Sequence, residues 1–271
     1  MPKDPRMENT NKKMGAIAAQ GTIEIELSTR PALRLWQGRE KTEKRHGIIG
    51  VPGFSKIMKG IEASIRADDP YADYHYQVIE QAIEDLKEHL EMEDRDITMF
   101  LSENVPAAMR LPEVGSESPT VVPVRFVSKL GFQLTYQVLK VDQIVLKVLS
   151  ANHIGLLSNS VKFETLARLE KKVRSVMHLI FAYHNVGVTR DDMAANNKKA
   201  QIAIDRMGQL EKSYLEGSIR SESAPALPMN RLKTLGSSFD PAKKESPVES
   251  KKTPDKSKKS DLEKTLDAIL N

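Results

Sequence analysis

The stretch from Gly131 to Lys140 alternates apolar and polar side chains. The apolar positions are Phe132, Leu134, Tyr136 and Val138, and the polar positions between them are Gln133, Thr135 and Gln137. Successive side chains of a β-strand point to opposite faces, so the stretch predicts a strand with one apolar and one hydrogen-bonding face. Helical spacing follows at 142–152 and 160–183. A strand followed by two helices is typical of a β-ribbon DNA-binding module.

The polar face of this predicted strand is suited to base contacts. Glutamine can pair with adenine through two hydrogen bonds, and threonine can contact a base edge or a thymine methyl group. We therefore expect Gln133, Thr135 and Gln137 to face the major groove. A ribbon of this kind takes its second strand from a second copy of the chain, so the module predicts a homodimer.

Charged and hydroxyl side chains flank the predicted ribbon. Lys129 and Lys140 lie at its two ends, where phosphates would pass. The second helix begins near Ser158, Asn159 and Ser160, whose amides and hydroxyls are suited to holding a phosphate. These five residues complete the predicted DNA-binding set.

A second interpretation of the same region stays open. Residues 121–127 also predict a strand, with Pro123 favouring a sheet edge. Only four residues, Ser128 to Gly131, separate this strand from the next. A connection of that length containing glycine is typical of a hairpin, in which case the ribbon is intramolecular and its polar face is merely solvated.

Charge is unevenly distributed along the chain. The total is +4, but residues 1–21 carry four basic and two acidic groups, and residues 218–271 carry eleven basic and eight acidic groups. The middle of the chain is therefore close to neutral, at −1. Any affinity for DNA must come from local patches or from the tails.

The bulk composition predicts a partly folded protein of a reducing compartment. Hydrophobic residues make up 39%, below the globular average of about 45–50%, which indicates that part of the chain does not fold. Cysteine is absent, which excludes disulfides and thiolate metal sites. We see neither a signal peptide nor an apolar run long enough for a membrane helix, and we expect a cytoplasmic protein.

The predicted organisation has four parts. Residues 1–21 are expected to be disordered, and 22–195 form a folded domain with the strand–helix–helix module at about 131–185. A polar helical extension follows at 196–217. Residues 218–271 form a basic tail rich in Ser, Pro and Lys, expected to be disordered. The tail ends in a short amphipathic helix at 261–270, which could dock on a partner.

Two other patterns indicate chemistry only weakly. Gly47 to Lys56 contains several glycines but lacks the Gly-Lys-Ser/Thr ending of a phosphate loop. Asp68, Asp69 and Asp73 cluster as a two-metal nuclease would require, but capping of the next helix accounts for Asp69. We predict no catalytic residue, metal or cofactor.

Several strings occur in the same order as in a known family. They are Arg30-Pro-Ala-Leu-Arg-Leu-Trp-Gln-Gly-Arg39, Gly47-Ile-Ile-Gly50, Arg66-Ala-Asp-Asp-Pro-Tyr-Ala-Asp73, Val122-Pro-Val-Arg-Phe126 and Gly187-Val-Thr-Arg-Asp191. Across roughly 22–192 the chain resembles the AcaB-like family encoded on conjugative plasmids and integrative conjugative elements. The resemblance implies a ribbon-helix-helix regulator of conjugative transfer genes that binds a promoter as a dimer. Activation fits that family.

The sequence thus predicts a mostly helical α+β protein, with a ribbon-helix-helix-like module embedded in a larger helical domain. Its predicted function is sequence-specific binding of double-stranded promoter DNA as a homodimer, without enzymatic activity. The tail could reach RNA polymerase or a co-regulator. The alternatives are an accessory interaction protein of the transfer machinery and a metal nuclease that uses the three aspartates.

Overall fold

Helices dominate the fold, and two short strands accompany them. The computed structural model describes residues 23–228 except 107, 110–118 and 127. The elements in chain order are β1 (Ile23–Leu27), α1 (Arg30–Gln37), α2 (Val51–Arg66), α3 (Pro70–Asn104), β2 (Thr120–Val124), α4 (Lys129–His153), α5 (Asn159–His178), a 3-10 turn (Leu179–Ala182), α6 (Arg190–Ala194), α7 (Lys198–Met207) and α8 (Lys212–Glu216). The predicted class, mostly helical with a small sheet, is confirmed.

Helix α4 is the central element of the core and packs against α1, α2, α3 and α5. The strand predicted over 132–139 is therefore wrong, because these residues lie inside this 25-residue helix. Its fully buried positions include Leu130, Leu134, Val138, Val141, Val145 and Val148. Their steps of three and four residues are helical, and they extend well beyond the eight residues over which the alternation holds. Ser128 caps the helix by accepting a hydrogen bond from the Gly131 N–H.

The hairpin interpretation is wrong as well. Strand β2 pairs with β1, about a hundred residues earlier, in an antiparallel register that places Ile25 opposite Val122. The sheet is intramolecular and has two strands. Its exposed face carries Glu24, Glu26 and Pro123, while Val122 and Val124 face the core.

The helix that the sequence predicts after Asp69 is confirmed. Helix α1 ends at Gly38, which adopts a φ of +69° that favours glycine. Asp69 caps α3 by accepting hydrogen bonds from the N–H groups of Tyr71 (2.9 Å) and Ala72 (3.2 Å), and Pro70 is the first helical residue. Helix α3 continues to Asn104 and is 35 residues long.

The region after Tyr183 is more divided and more firmly packed than the sequence predicts. The helical extension expected at 196–217 is divided into α7 and α8, and the short helix α6 precedes it. Residues 218–228, expected to belong to a disordered tail, lie against α3, and Leu227 is buried. The expectations for residues 1–21 and for 229–271, including the amphipathic helix at 261–270, fall outside the described residues.

Candidate nucleic-acid interface

Charges are segregated between the elements of the fold. Residues 30–66, which include α1 and α2, contain nine basic and three acidic residues, whereas α3 contains two basic and ten acidic residues. The near-neutral total of the folded part therefore conceals a basic region and an acidic one. Because field strength depends on local charge, the basic region is where a polyanion would bind.

A groove of about 730 Å³ opens on the basic region, and we call it the basic groove. Its walls come from α1, α2 and the segment that runs from β2 into α4. The lining residues are Trp36, Gln37, Pro52, Ser55, Lys56, Lys59, Val122, Pro123, Arg125, Phe126 and Ser128. Among these described residues there are three cations and no carboxylate.

The cations of the basic groove are free to meet a ligand. Lys56, Lys59 and Arg125 are all exposed. Lys56 and Lys59 lie one turn apart on α2, and Arg66 continues the exposed basic stripe two turns later. Between them, Gly60 and Ala63 are small and exposed, so a phosphate backbone could approach the helix closely.

Close packing behind the groove holds its walls in place. The Trp36 ring lies 6.0 Å from that of Phe126, which in turn lies 5.2 Å from that of Phe132. A Cβ atom on Gly131 would come within 2.5 Å of the Ser55 hydroxyl, so α4 and α2 touch closely at this glycine. The Ser128 hydroxyl donates a hydrogen bond to the buried Glu62 carboxylate (2.8 Å), which joins the same two helices.

The three predicted base-contacting residues lie on α4, away from any ribbon. Thr135 is buried, and its hydroxyl donates to the Gly131 carbonyl (2.8 Å). Gln137 is buried and donates to the carbonyl of the half-buried Gln133 (3.4 Å). Polar side chains within a helix commonly bond to the preceding turn in this way. Their role in a β-ribbon is therefore excluded in this fold.

The other five predicted residues have separate environments. Lys129 is exposed and directly follows Ser128 of the basic groove. Lys140, together with Lys147, donates to the Asp94 carboxylate of α3, so its charge is already paired. Those two lysines hold the pKa of Asp94 below its usual value, against the opposing effect of burial.

The predicted phosphate-holding residues lie at the start of α5. Ser158, Asn159 and Ser160 are all exposed. Ser158 caps α5 by accepting from the Val161 N–H (3.3 Å), as the sequence predicts for a helix start. The Lys162 ammonium donates to the Asn159 side chain (2.7 Å), which leaves a cation among the three exposed polar residues.

A second groove, of about 760 Å³, follows the outer face of α5. Phe163 is 64% exposed there, and the Lys162 ammonium lies 4.7 Å from the centre of its ring. Glu170 is neutralised from both sides, by Arg34 of α1 and by Arg174. Exposed aromatic side chains with basic neighbours are typical of protein interfaces.

The three clustered aspartates have structural partners. Arg190 donates to Asp68 (2.8 Å) and to Asp73 (2.5 Å), and Arg220 also binds Asp73 (3.0 Å). Asp69 accepts from the Tyr183 hydroxyl (2.7 Å) in addition to capping α3. Within the described residues no group of side chains is arranged to hold a metal ion. This cluster joins the last helices to α3, and its geometry does not favour nuclease chemistry.

His75 makes the stability of this region sensitive to pH. Burial lowers the pKa of His75 to about 4, and the nearby His184 adds to the shift. The unfolded chain, with a histidine pKa of about 6.5, binds more protons between these two values. We therefore expect the free energy of unfolding to fall as the pH drops from about 6.5 to about 4, by about 3 kcal/mol from this residue.

The measurement is urea unfolding at several pH values in this window, for the wild type and for His75→Phe. The substitution retains an aromatic ring beside Tyr74 and Tyr183, whose rings lie 5.2 and 5.8 Å away. The difference between the two proteins isolates His75 from carboxylates that titrate in the same range. Parallel pH profiles would contradict the prediction.

Within residues 23–228, apart from the gaps noted above, no helix is long and apolar enough to cross a membrane.

Comparisons with known proteins give one family and one fold. A family model described as "Transcriptional regulator AcaB" matches residues 13–228. The fold is similar to a crystal structure of selenomethionine-containing AcaB from uropathogenic E. coli, with a TM-score of 0.51 and 13% identity. The alignment covers 72% of this chain and 94% of that chain, and at this identity it concerns the fold alone. No curated protein sequence matches the chain.

Proposed function

The chain belongs to the AcaB family of transcriptional regulators, and we propose that it acts by binding promoter DNA at the basic groove. Lys56, Lys59 and Arg125 would hold phosphates, and Lys129 would extend this contact at the start of α4. Phosphate contacts of this type position a protein on the duplex and make its affinity depend on salt.

One observation carries this proposal: three exposed cations line the basic groove, and no carboxylate lines it among the described residues. By contrast, the exposed face of the β1–β2 sheet carries Glu24 and Glu26, which phosphates would repel. We therefore place the DNA contact on α2 and the adjoining segment, and not on the sheet. The exposed residues Ser158, Asn159 and Ser160 beside Lys162 are our second proposed phosphate contact.

Reversal of two charges in the groove tests the proposal. The double variant Lys56→Glu and Lys59→Glu should bind a DNA duplex about a hundredfold more weakly near physiological salt, since each lost contact is worth about a factor of ten. The slope of log affinity against log salt should fall by about 2. Both side chains are exposed, so the fold should be unaffected.

The matched control is Lys198→Glu with Lys199→Glu, an equal charge change at the exposed start of α7. Fluorescence anisotropy over a salt series, with circular dichroism to verify folding, measures both proteins. If the two double variants lose the same affinity, the groove is not the contact and only general charge matters.

We propose that the regulator acts as a homodimer and that the outer face of α5 forms the contact. The exposed aromatic ring of Phe163 supports this position. Phe163→Glu should weaken self-association by about tenfold or more, as loss of a central interface residue does. Light scattering after size-exclusion chromatography measures it, with Met99→Glu, a change at another exposed apolar residue, as the control. Equal association of both variants would place the dimer contact elsewhere.

The target genes and the direction of regulation are also part of the proposal. From the family resemblance we propose activation of conjugative transfer genes in the bacterial cytoplasm. A reporter fused to a transfer promoter should lose induction in the Lys56→Glu, Lys59→Glu variant. If the wild type binds no DNA at any salt concentration, the alternative is an accessory interaction protein of the transfer machinery, acting through the α5 face.

A further inference from the structure

The basic groove has an apolar lining that contact with a DNA backbone does not require. A duplex is convex, and its phosphates need charges on a rim. Besides the three cations, however, the groove is lined by apolar side chains. They are Trp36, Pro52, Val122, Pro123 and Phe126. Its volume of about 730 Å³ is that of a small-molecule site, and such sites combine an apolar lining with a few polar groups.

One polar group in the groove wall has no partner. The Ser55 hydroxyl is buried, with the residue 1% exposed, and forms no hydrogen bond within the described structure. Its neighbour in the wall, Ser128, has its hydroxyl satisfied by Glu62. Buried hydroxyls are nearly always hydrogen-bonded. An unpaired hydroxyl beside a groove therefore indicates that a polar atom of a ligand binds there. Ser55 itself is one of the residues that line the groove.

From these features we propose that the basic groove binds a nucleoside phosphate as an effector. The flat base would lie on the apolar wall formed with Phe126, and the phosphate would be held by Lys56, Lys59 and Arg125. A lysine or arginine binds phosphate through charge-assisted hydrogen bonds. Aromatic and proline surfaces bind a base of any sequence through its π-face.

An effector bound in the basic groove would regulate DNA binding. This regulatory role rests on the proposed function, in which DNA binds at the same groove. The effector and DNA share Lys56 and Lys59, so they cannot both occupy the groove. Binding of the effector therefore releases DNA, and DNA lowers the affinity for the effector by the same factor.

Trp36 provides a direct reporter, because it is the single tryptophan of the chain and lies in the groove wall. Each of the four common nucleoside 5′-monophosphates is titrated into the full-length protein, with excitation at the red edge of indole absorption and calorimetry as a second readout. We expect saturable binding by at least one of them. Inorganic phosphate, ribose 5-phosphate and the free nucleoside should each bind at least about tenfold more weakly.

Two variants assign the binding to the groove. Lys56→Gln should weaken nucleotide binding by about tenfold, the loss expected for one charged contact, whereas Lys44→Gln, an exposed lysine of the α1–α2 connection, should not. Phe126→Leu should weaken nucleotide binding as well, because it removes the aromatic surface that would bind the base. No saturable binding of any monophosphate overturns the inference. An equal response to inorganic phosphate overturns it as well, because the groove is then a simple anion site.

The outcomes separate the inference from the proposed function. A protein that binds DNA but no nucleotide contradicts the inference and leaves the function intact. A protein that binds nucleotide, but whose Lys56→Glu, Lys59→Glu variant binds DNA like the wild type, contradicts the proposed DNA site and leaves the nucleotide site intact. Competition of nucleotide with a labelled duplex should raise the apparent Kd for DNA, and an unchanged Kd contradicts shared occupancy.

Discussion

Replacement of Arg190 by alanine should lower the free energy of unfolding by about 3–5 kcal/mol, the usual cost of removing one partner from a buried ion pair. The Arg190 side chain is 2% exposed and donates to Asp68, to Asp73 and to the Tyr214 carbonyl. Its loss leaves the Asp68 carboxylate without this buried cation. Arg220 keeps its contact with Asp73 and limits the damage there.

Urea unfolding followed by circular dichroism measures the change, with Arg206→Ala on the exposed surface of α7 as the control. That control should shift stability by no more than about 0.5 kcal/mol. Arg190→Lys should fall between the two, because an ammonium group cannot reproduce the forked geometry of a guanidinium. A loss below about 1 kcal/mol for Arg190→Ala would show that the buried cluster does not hold the last helices on α3.

In this region the sequence predicts interactions between neighbouring residues but not those between distant ones. Asp69 and Pro70 are adjacent and together predict the start of a helix, which the structure confirms. The partner of Asp68 and Asp73 lies more than a hundred positions later, at Arg190. Two strings that carry the family resemblance, 66–73 and 187–191, meet in this cluster. Their joint presence is a signal that could have suggested contact, although a single sequence does not show which residues pair.

The predicted ribbon is wrong for a related reason. The alternation from Phe132 to Val138 covers only seven residues. When the pattern is followed to Val148, the spacing of the apolar residues also fits a helix. Because α4 packs against helices on several sides, its apolar residues spread around the helix and blur the helical period. The true partner of β2 is β1, which no local pattern connects to it.

The residues of the basic groove were also only partly predictable from local sequence patterns. Lys129, which the sequence places beside the predicted ribbon, adjoins the basic groove although no ribbon lies there. Lys56, Lys59 and Arg125 do not stand out in the sequence when charge is averaged over the whole folded region. When the charged residues of each helix are counted separately, α2 is basic and α3 is acidic. This difference can be read from the sequence.

Replacement of Asp142 by alanine should cost about 3–4 kcal/mol, because three hydrogen bonds to a buried carboxylate are lost together. Asp142 lies on α4 and accepts from the Ser28 N–H (2.9 Å), the Thr29 N–H (2.8 Å) and the Thr29 hydroxyl (2.6 Å). Thr29 is the capping residue of α1, so this carboxylate attaches the β1–α1 corner to the central helix. Without it, two backbone donors are left without this acceptor in a buried setting.

The same variant links stability to the proposed site. Helix α1 carries Trp36 of the basic groove, so loosening the corner should alter the Trp36 emission of the folded protein and weaken DNA binding. Asp142→Asn keeps one acceptor oxygen and should lose about half as much stability. Gln143→Ala, an exposed neighbour on α4, is the control and should leave stability, emission and DNA binding unchanged. If Asp142→Ala loses stability while Trp36 emission and DNA affinity stay at wild-type values, the corner supports the fold but does not position the groove.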